Sequence, residues 1–394
     1  MGDDRLLPGL AEFELVPTRI LYIHGIGDMG GAERDLLAML GALNRSKWDP
    51  HVACPPHTPL SDRLAKEDVS WHPLALGPWR KWYSPFLRWH DVKHLRAVRD
   101  DLAPALIHVN DIWWVPHTMS AAGRSPGLPK PVVAHVRQEI EPQKVRRYGL
   151  ESVDGIIAIS RQVEQALIAG GVPRESVRTI YSGLPPAKVG VPTADRTAVC
   201  RALRVPDDAV LLGTVAHLFP RKGYDVMLRA LPSILRAVPT VHYLIIGTGE
   251  RAYEEELKAL AKRLRIDERV HFVGFQDEVT PFLSALSLYV HPARMEGFGI
   301  AVVEALAAGK AVVATRVGGL PEIVDDGRTG LLVAPNHPVE LTAAILSLLR
   351  DEPRRKIMEE RGVQVARERF TVTASVAAME RLYHQLMKGG QERR

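Results

Sequence analysis

Short apolar, β-branched runs alternate with helical patterns along almost the whole chain of 394 residues, and this alternation constrains the fold most. The runs are nearly continuous hydrophobic stretches, which is typical of parallel strands covered on both faces. Stretches such as "GAERDLLAMLGALN" and "SRQVEQALIAGG" between them show helical patterns. Such alternation predicts an α/β fold with doubly wound parallel sheets. The predicted strands are 19–27, 51–56, 105–111, 131–136, 155–160, 177–183, 209–218, 241–249, 270–275, 286–293, 310–319 and 329–333.

A chain of this length is too long for one hydrophobic core and predicts two domains. A stretch rich in Pro and Gly, "GLPPAKVGVPTADRTAVC", interrupts the alternation midway and indicates a linker. Open parallel sheets bind ligands at the carboxyl ends of their strands, so we expect the two domains to face each other across a cleft. The predicted parts are an N-terminal extension (1–18), an N-terminal Rossmann-like domain (19–185), a linker (186–204), a C-terminal Rossmann-like domain (205–370) and a C-terminal helix that packs back on the N-terminal domain (371–394).

Composition narrows the cellular context. No run approaches the roughly 18 apolar residues that span a bilayer, and the acidic start lacks the pattern of a signal peptide. Cys54 and Cys200 match no metal spacing, and we predict that they are core residues of a reduced, cytoplasmic protein. The net charge of +5 fits an anionic substrate, an anionic membrane surface or simply a basic solvated surface. Because nothing else favours nucleic acid, we exclude it as a partner.

Two glycine-bearing loops follow predicted strands where the cleft should open. In "GIGDMGGAERDL", Gly30 and Gly31 let backbone N–H groups approach an anion at a helix start, and a plain tight turn is the alternative. In "HLFPRKGYDVMLRAL", Arg221 and Lys222 stand at a strand-to-helix turn. Two adjacent cations suit a diphosphate, although a solvated basic pair explains them equally well.

A third loop, "MEGFGIAVVEALAAGK", places Glu296 just before a predicted helix and Glu304 inside it. The amides of 297–299 would lie at the helix N-terminus, ready for a phosphate or sugar oxygen. Eight residues of helix span about 12 Å. An extended ligand would therefore meet one carboxylate at each end, for example through a sugar hydroxyl and a ribose. Alternatively, Glu296 interacts with the helix dipole and Glu304 pairs with an arginine.

The stretch "EGFGIAVVEALAAGKAVVATRVGGLPEIVDDGRTGLLV" resembles the Glu-x7-Glu signature of the family 4 retaining glycosyltransferases, which have the GT-B fold. The segments "GGAERDLLAML", "IAISRQVEQAL", "GTVAHLFPRKGYDVMLRAL", "LIIGTGE" and "VHFVGF" also resemble the family's segments, in the same order. The resemblance implies two Rossmann-like domains, with the acceptor on the N-terminal one. It implies that a nucleotide-sugar donor is held mainly by the C-terminal domain.

In this numbering, the resemblance assigns Glu304 to the ribose hydroxyls and Glu296 to a hydroxyl of the donor sugar. It places Phe275 where the family contacts the base, largely through backbone. Contacts with the sugar and diphosphate are implied for the amides of Gly297, Phe298 and Gly299, the cations of Arg221 and Lys222, and Gly30 and Gly31 across the cleft.

His135 in "VVAHVRQEI" matches the family's histidine near the donor sugar, whereas alone it would be a satisfied core histidine. We predict Glu296, His135 and Lys222 as the catalytic residues. Two positions depart from the family pattern. His217 stands where Arg or Asn is common, and Ser182-Gly183 replaces a frequent Asn-Gly.

The resemblance implies transfer with retention by a front-face route, in which the leaving phosphate oxygen takes the acceptor proton. The chain contains no Asp-x-Asp cluster placed for a metal, so we expect neither a metal nor a cofactor. The acceptor would be a glycan, a lipid-linked glycan or a small molecule. Two alternatives remain open, namely a GT-B phosphorylase or epimerase and a non-catalytic sugar-nucleotide-binding protein. The basic, Trp-containing segment 76–99 would rest on an anionic membrane or pack its Trp residues in the core.

Overall fold

The computed structural model describes residues 16–77, 79, 85–122, 130–190 and 196–392. Its first sheet is built from β1 (Thr18–Ile23), β2 (Trp48–Cys54), β3 (Ser70–Pro73), β4 (Leu106–Val109), β5 (Val132–Val136), β6 (Gly155–Ala158) and β7 (Val177–Thr179). The helices of this N-terminal half are α1 (Gly31–Ala42), α2 (Pro59–Lys66), α3 (Pro85–Leu102), α4 (Val115–Ala122), α5 (Pro142–Arg147) and α6 (Arg161–Ala169).

The second sheet is built from β8 (Val210–Val215), β9 (Val241–Ile246), β10 (Val270–Gly274), β11 (Leu288–His291), β12 (Val312–Thr315) and β13 (Gly330–Val333). The remaining helices are α7 (Arg196–Leu203), α8 (Tyr224–Ala237), α9 (Arg251–Arg263), α10 (Thr280–Ala285), α11 (Ile300–Ala307), α12 (Leu320–Ile323), α13 (Pro338–Arg350), α14 (Glu352–Arg369) and α15 (Val372–Glu392). No helix in the described ranges is long and apolar enough to cross a membrane.

Both sheets are parallel and share one order over six strands, to which the first sheet adds β7 at its edge. The first runs β3-β2-β1-β4-β5-β6-β7 and the second β10-β9-β8-β11-β12-β13. In the first sheet Ile20 of β1 pairs with Pro50 on one side and Leu106 on the other. The order reverses between β1 and β4, and again between β8 and β11. Loops that leave the sheet at such a switch point diverge and open a crevice, so the topology places a binding site beside each pair.

The predicted strands each overlap an observed strand, and the doubly wound α/β class is confirmed. The apolar runs predicted the positions of the strands correctly because the central strands are covered on both faces. β9, for example, is buried throughout. The one strand that the pattern did not predict is β3, "SWHP", which lies at the sheet edge and is partly exposed. A short edge strand has no need of a continuous apolar run, so its sequence carries no such signal.

Several predicted features fall partly outside the described residues. The predicted extension 1–18 does so up to residue 15, and the predicted linker 186–204 lacks 191–195 and continues into α7. Segment 76–99 lacks 78 and 80–84, which include its middle tryptophan. Of the other two tryptophans, Trp79 packs against the core beside His117, whereas Trp89 on α3 is 66% exposed. Both cysteines are buried and unpaired.

The last helix, α15, packs on the N-terminal half. The chain crosses between the halves twice, and the crossings are bonded to each other: Leu184 N–H donates to Phe370 O (2.8 Å) and Val372 N–H to Leu184 O (3.0 Å). Beyond this point α15 packs on α1 and buries Met379 and Tyr383 in one cluster with residues of β1. The N-terminal half therefore completes its core with the last described helix of the chain.

Replacement of Tyr383 by Ala is expected to destabilise the protein by about 3–5 kcal/mol, the usual cost of removing a buried aromatic ring. Tyr383 is fully buried, and its hydroxyl lies 3.2 Å from that of Tyr22 and 2.5 Å from His108 Nδ1. Tyr383→Phe is the matched control, since it removes only the hydroxyl and should cost about 1 kcal/mol. Urea unfolding measures both. Equal, small losses in the two variants would contradict the packing role of the ring.

Candidate active site

The carboxyl edges of the two sheets lie against each other and contact across the cleft. Arg34 of α1 donates from Nη2 to the carbonyl oxygen of Gln276 at 2.7 Å. The N–H of Glu296 donates to Oε1 of Glu139, which follows β5, at 3.3 Å. The Tyr181 hydroxyl donates to Glu322 at 2.9 Å. The first two bonds join α1 and the loop after β5 to the loops after β10 and β11, and the third joins the segment after β7 to α12.

Glu296 lies at the centre of a buried polar cluster in the second half. Its Oε2 accepts a hydrogen bond from Lys222 Nζ at 2.5 Å and lies 2.8 Å from Nε2 of His291. The three side chains are buried. Lys222 and Glu296 are in contact although 74 residues separate them in the sequence. The sheet order explains the meeting, because Lys222 follows β8 and His291 ends β11, which are neighbouring strands at the switch point.

Burial would raise the pKa of Glu296, but the ammonium of Lys222 and the hydrogen bond to His291 outweigh it, so the pKa lies well below its usual range. Burial lowers the pKa of His291 in spite of the neighbouring carboxylate. The cluster therefore holds a permanent carboxylate beside a neutral imidazole. The Glu296 carboxylate therefore accepts hydrogen bonds throughout the physiological pH range.

The loop that carries Glu296 is fixed by close backbone packing. A Cβ on Gly297 would lie 2.6 Å from the carbonyl oxygen of Arg137 in the other half, so only glycine allows this approach. The Phe298 ring is buried, stacked on Tyr181 with centroids 5.5 Å apart, and it anchors the loop. The predicted ligand contacts of Gly297, Phe298 and Gly299 through their amides are compatible with this arrangement, which leads directly into α11.

Glu304 lies one turn inside α11 and is half-buried. Burial raises its pKa to about 6, and the nearby charge of Arg34 opposes the rise. The two carboxylates that the sequence placed around one helix start thus differ electrostatically. Glu296 is held charged by Lys222, whereas Glu304 takes up a proton just below neutral pH.

The structure separates the predicted cation pair. Lys222 turns inward to Glu296, while Arg221 is exposed, with its guanidinium 5.6 Å from the ring centroid of Phe219. Both belong to a 3₁₀ turn, Pro220–Lys222, which ends at Gly223 with φ of +70°. A side chain at Gly223 would also meet the carbonyl oxygen of Pro292, so a glycine is required where the loop enters α8.

Gly30 and Gly31 start α1, opposite the loop after β8. The N–H of Gly30 donates to Oε2 of Glu33 at 2.9 Å, and Oε1 of Glu33 lies 2.7 Å from His24 Nε2. A phosphate would have to replace Glu33 at this amide. A Cβ on Gly30 would lie 3.1 Å from Nε2 of His217, so the residue that departs from the family pattern borders the same space.

His135 lies on β5 and is 2% exposed. Neither of its ring nitrogens has a hydrogen-bond partner within the described ranges. Burial lowers its pKa far below the usual value, with a further contribution from Arg137. The ring is therefore neutral, and it is not the hydrogen-bonded core histidine that was the alternative.

Phe275 follows β10 at the far end of the cleft. Its side chain is 42% exposed, and the guanidinium of Arg34 lies 5.3 Å from its ring centroid. The described residues thus bring Phe275, Glu304, Lys222 and Glu296 to one cleft, with α1 along the opposite wall.

Sequence reasoning missed several polar side chains that line this cleft. His291 ends an apolar strand with a polar residue, which is a signal that was available in "LYVH". Glu139 and Arg34 gave no such signal, because each is one charged residue in a polar loop or on a helix. Behind the N-terminal wall, a network links Asp35 to Arg137, Arg137 to Asn110 at 2.8 Å, and Asn110 to His24 at 3.0 Å.

Two family models match the sequence of this chain. The model described as "Glycosyltransferase Family 4" matches residues 29–188, and the model described as "Glycosyl transferases group 1" matches residues 195–365. Together they cover both halves, including α1 and the whole Glu296–Glu304 loop. The chain belongs to the family 4 glycosyltransferases. The resemblance inferred from the Glu-x7-Glu motif is confirmed.

Curated relatives of this family 4 glycosyltransferase match it over about half its length. An uncharacterized glycosyltransferase of Methanocaldococcus jannaschii is 36% identical over 172 residues, which cover 44% of the chain and 47% of the relative. A D-inositol 3-phosphate glycosyltransferase of Saccharomonospora viridis is 34% identical over 223 residues, covering 54% and 51%. The chain thus spans about half the length of the curated relatives that it matches.

A solved structure shows the fold. The Anabaena protein Alr3699/HepE, in complex with UDP and glucose, has a TM-score of 0.80 and 23% sequence identity, covering 92% of this chain and 98% of that one. This likeness establishes the fold of the family 4 chain as GT-B. The predicted fold class, two Rossmann-like parallel-sheet domains, is confirmed.

Proposed function

We propose that this glycosyltransferase moves a sugar from a nucleotide-diphosphate sugar, with UDP- or GDP-sugars as the first candidates, to an acceptor hydroxyl with retention of configuration. The observation that supports this most is the Glu296 carboxylate, which Lys222 and His291 hold charged beside the N-terminus of α11. Both partners contact Oε2, so the second oxygen is left for a hydroxyl of the donor sugar. A buried, permanently charged carboxylate next to helix amides suits a ligand that joins a sugar to a phosphate.

The donor would extend along the cleft from Glu296 to Phe275. Its sugar would lie at Glu296, its diphosphate between the α11 amides and the α1 start, its ribose at Glu304 and its base at Phe275. The bound UDP and glucose of the HepE structure belong to a protein of the same fold. His135, whose ring nitrogens lack protein partners within the described ranges, would hydrogen-bond the sugar or a water beside it.

In the reaction, the acceptor oxygen forms a bond to the anomeric carbon as the bond from that carbon to the diphosphate breaks. The proton of the acceptor hydroxyl passes to the leaving phosphate oxygen on the same face of the sugar. Negative charge grows on the diphosphate, and the α11 amides, Arg221 and the Lys222 ammonium, which remains paired with Glu296, would stabilise it. Glu296 holds the sugar so that only this face meets the acceptor. We propose that these cations replace a divalent metal.

The acceptor would bind on the N-terminal half, beside the loops after β4 and β5. Its class stays a proposal: a glycan, a lipid-linked glycan or a small molecule. A membrane-bound acceptor is favoured by Trp89, which is exposed on α3, with Lys93 Nζ 5.3 Å from its ring centroid. Aromatic and basic side chains together favour an anionic membrane surface.

Thermal stabilisation by nucleotide sugars tests the proposed donor site. A ligand that binds only the folded state raises the melting temperature. At a ligand concentration of a hundred times Kd, the free energy of unfolding rises by about 2.7 kcal/mol. We expect a clear rise with one nucleotide class and no change on adding EDTA. A rise that EDTA abolishes would contradict metal-independent binding, and no rise with UDP-, GDP- or ADP-sugars would contradict the donor assignment.

A further inference from the structure

Arg34 reaches from the N-terminal half to the base end of the cleft. It lies in the first turns of α1, and its Nη2 donates to the carbonyl oxygen of Gln276 in the second half at 2.7 Å. Its guanidinium covers one face of the Phe275 ring. That ring remains 42% exposed, which is a large share for a phenylalanine in a folded protein. The arginine and the ring together form a flat, partly open surface.

The same arginine acts on Glu304. The charged or titratable groups that face Glu304 are Arg34 from α1, Lys188 and Glu278 from neighbouring loops, and Tyr289 from β11. After burial, which raises the pKa of Glu304, Arg34 has the largest effect and lowers it. Arg34 is therefore the main positive charge acting on this carboxylate.

The direction of α1 completes the geometry. Its first residues border His217 at the diphosphate end, and Arg34, one turn later, borders Phe275 at the base end. The first turn of α1 thus borders both the loop after β8 and the loop after β10. A planar guanidinium stacks on aromatic faces and donates several hydrogen bonds, and a nucleobase offers both a face and carbonyl acceptors.

We propose that Arg34 recognises the nucleotide of the donor from the N-terminal half, by lying against the base and ribose. The inference rests on the proposed nucleotide-sugar function and adds to it a nucleotide contact from the N-terminal half.

Titration calorimetry with UDP, GDP and ADP on four forms tests the role: wild type, Arg34→Ala, Arg34→Lys and the control Arg236→Ala, an exposed arginine on α8. We expect Arg34→Ala to lower the affinity for the preferred nucleotide about tenfold, which is the size expected for the loss of a desolvated cation–π contact and a hydrogen bond. Arg34→Lys keeps the positive charge but lacks the planar guanidinium, so its affinity for the nucleotide should be about threefold lower than that of the wild type. The control should match the wild type.

A purely structural role is separated by repeating the titrations from pH 5 to 8. Without Arg34, the pKa of Glu304 rises further, so nucleotide binding should start to weaken at a higher pH in Arg34→Ala than in wild type or Arg34→Lys. An equal loss at every pH with a lower melting temperature would overturn the proposal, and so would unchanged affinity. Failure of the wild type to bind any of the three nucleotides would overturn the proposed function, and this inference with it.

Discussion

Glu296→Gln is expected to lower kcat for sugar transfer about 100- to 1,000-fold, while the affinity for the nucleoside diphosphate changes less than about threefold. Glutamine keeps the shape but not the charge that Lys222 and His291 hold in place. A group that orients the reacting sugar acts mainly in the transition state, and the loss of one such preorganised contact costs this much. Steady-state kinetics with the preferred donor, and calorimetry with the diphosphate, measure the two effects.

The matched control is Glu352→Gln, which removes an exposed carboxylate on α14. Glu296→Ala is less informative, because it also removes the hydrogen-bond acceptor of the buried Lys222; such a loss costs about 3–5 kcal/mol of stability and confuses folding with catalysis. A Glu296→Gln enzyme with full kcat would show that this carboxylate stabilises the loop only. Weaker diphosphate binding with unchanged kcat would place Glu296 at the nucleotide rather than at the sugar.

Glu304→Ala is expected to raise the Kd for the nucleoside diphosphate about 10- to 100-fold, because the ribose loses charge-assisted hydrogen bonds. The pH dependence gives a sharper test. In the proposed donor complex the charged carboxylate would accept two hydroxyl hydrogen bonds, and burial raises its pKa to about 6. Nucleotide affinity should therefore be constant above about pH 7 and fall as the pH drops through 6. In Glu304→Gln the affinity should be weaker and independent of pH over this range.

Calorimetry from pH 5 to 8 measures this profile, and Glu278→Gln, a neighbouring exposed carboxylate, is its control. Besides Glu278, the charged or titratable groups that face Glu304 are Arg34, Lys188 and Tyr289. A pH-dependent fall that persists in Glu304→Gln would assign the titration to another group. A flat wild-type profile would exclude a contact between Glu304 and the ribose.

The fold was predictable because the information is local. Strands such as "VHYLII" are buried throughout since both faces are covered, while Gly309 marks the end of α11 and Gly223 the start of α8. The edge strand β3 escaped because a partly exposed strand of four residues needs no apolar run. The position of Glu296 before α11 followed from the same local reasoning, as did the α11 location of Glu304.

The partners of those residues were not predictable from pattern. Lys222 was expected to face a diphosphate beside Arg221, and nothing local indicates that it turns inward to a carboxylate 74 residues away. Arg34 and Glu139 contact the second half across the cleft, so their roles depend on how two separate sheets dock. Periodicity predicts the face of a helix or strand on which a residue lies, but it does not predict which distant side chain that residue contacts.

The return of α15 to the N-terminal half has a consequence for the order of folding as the ribosome makes the chain. Domains usually fold N-terminal first, at about 5–20 residues per second of synthesis. Here β1 and α1 emerge early, but Met379 and Tyr383, which complete their core, emerge only after all the strands of the second sheet. The C-terminal sheet is finished first. The core around β1 and α1 is therefore incompletely packed until α15 has been made, so we expect these elements to expose apolar surface while the C-terminal half is being synthesised.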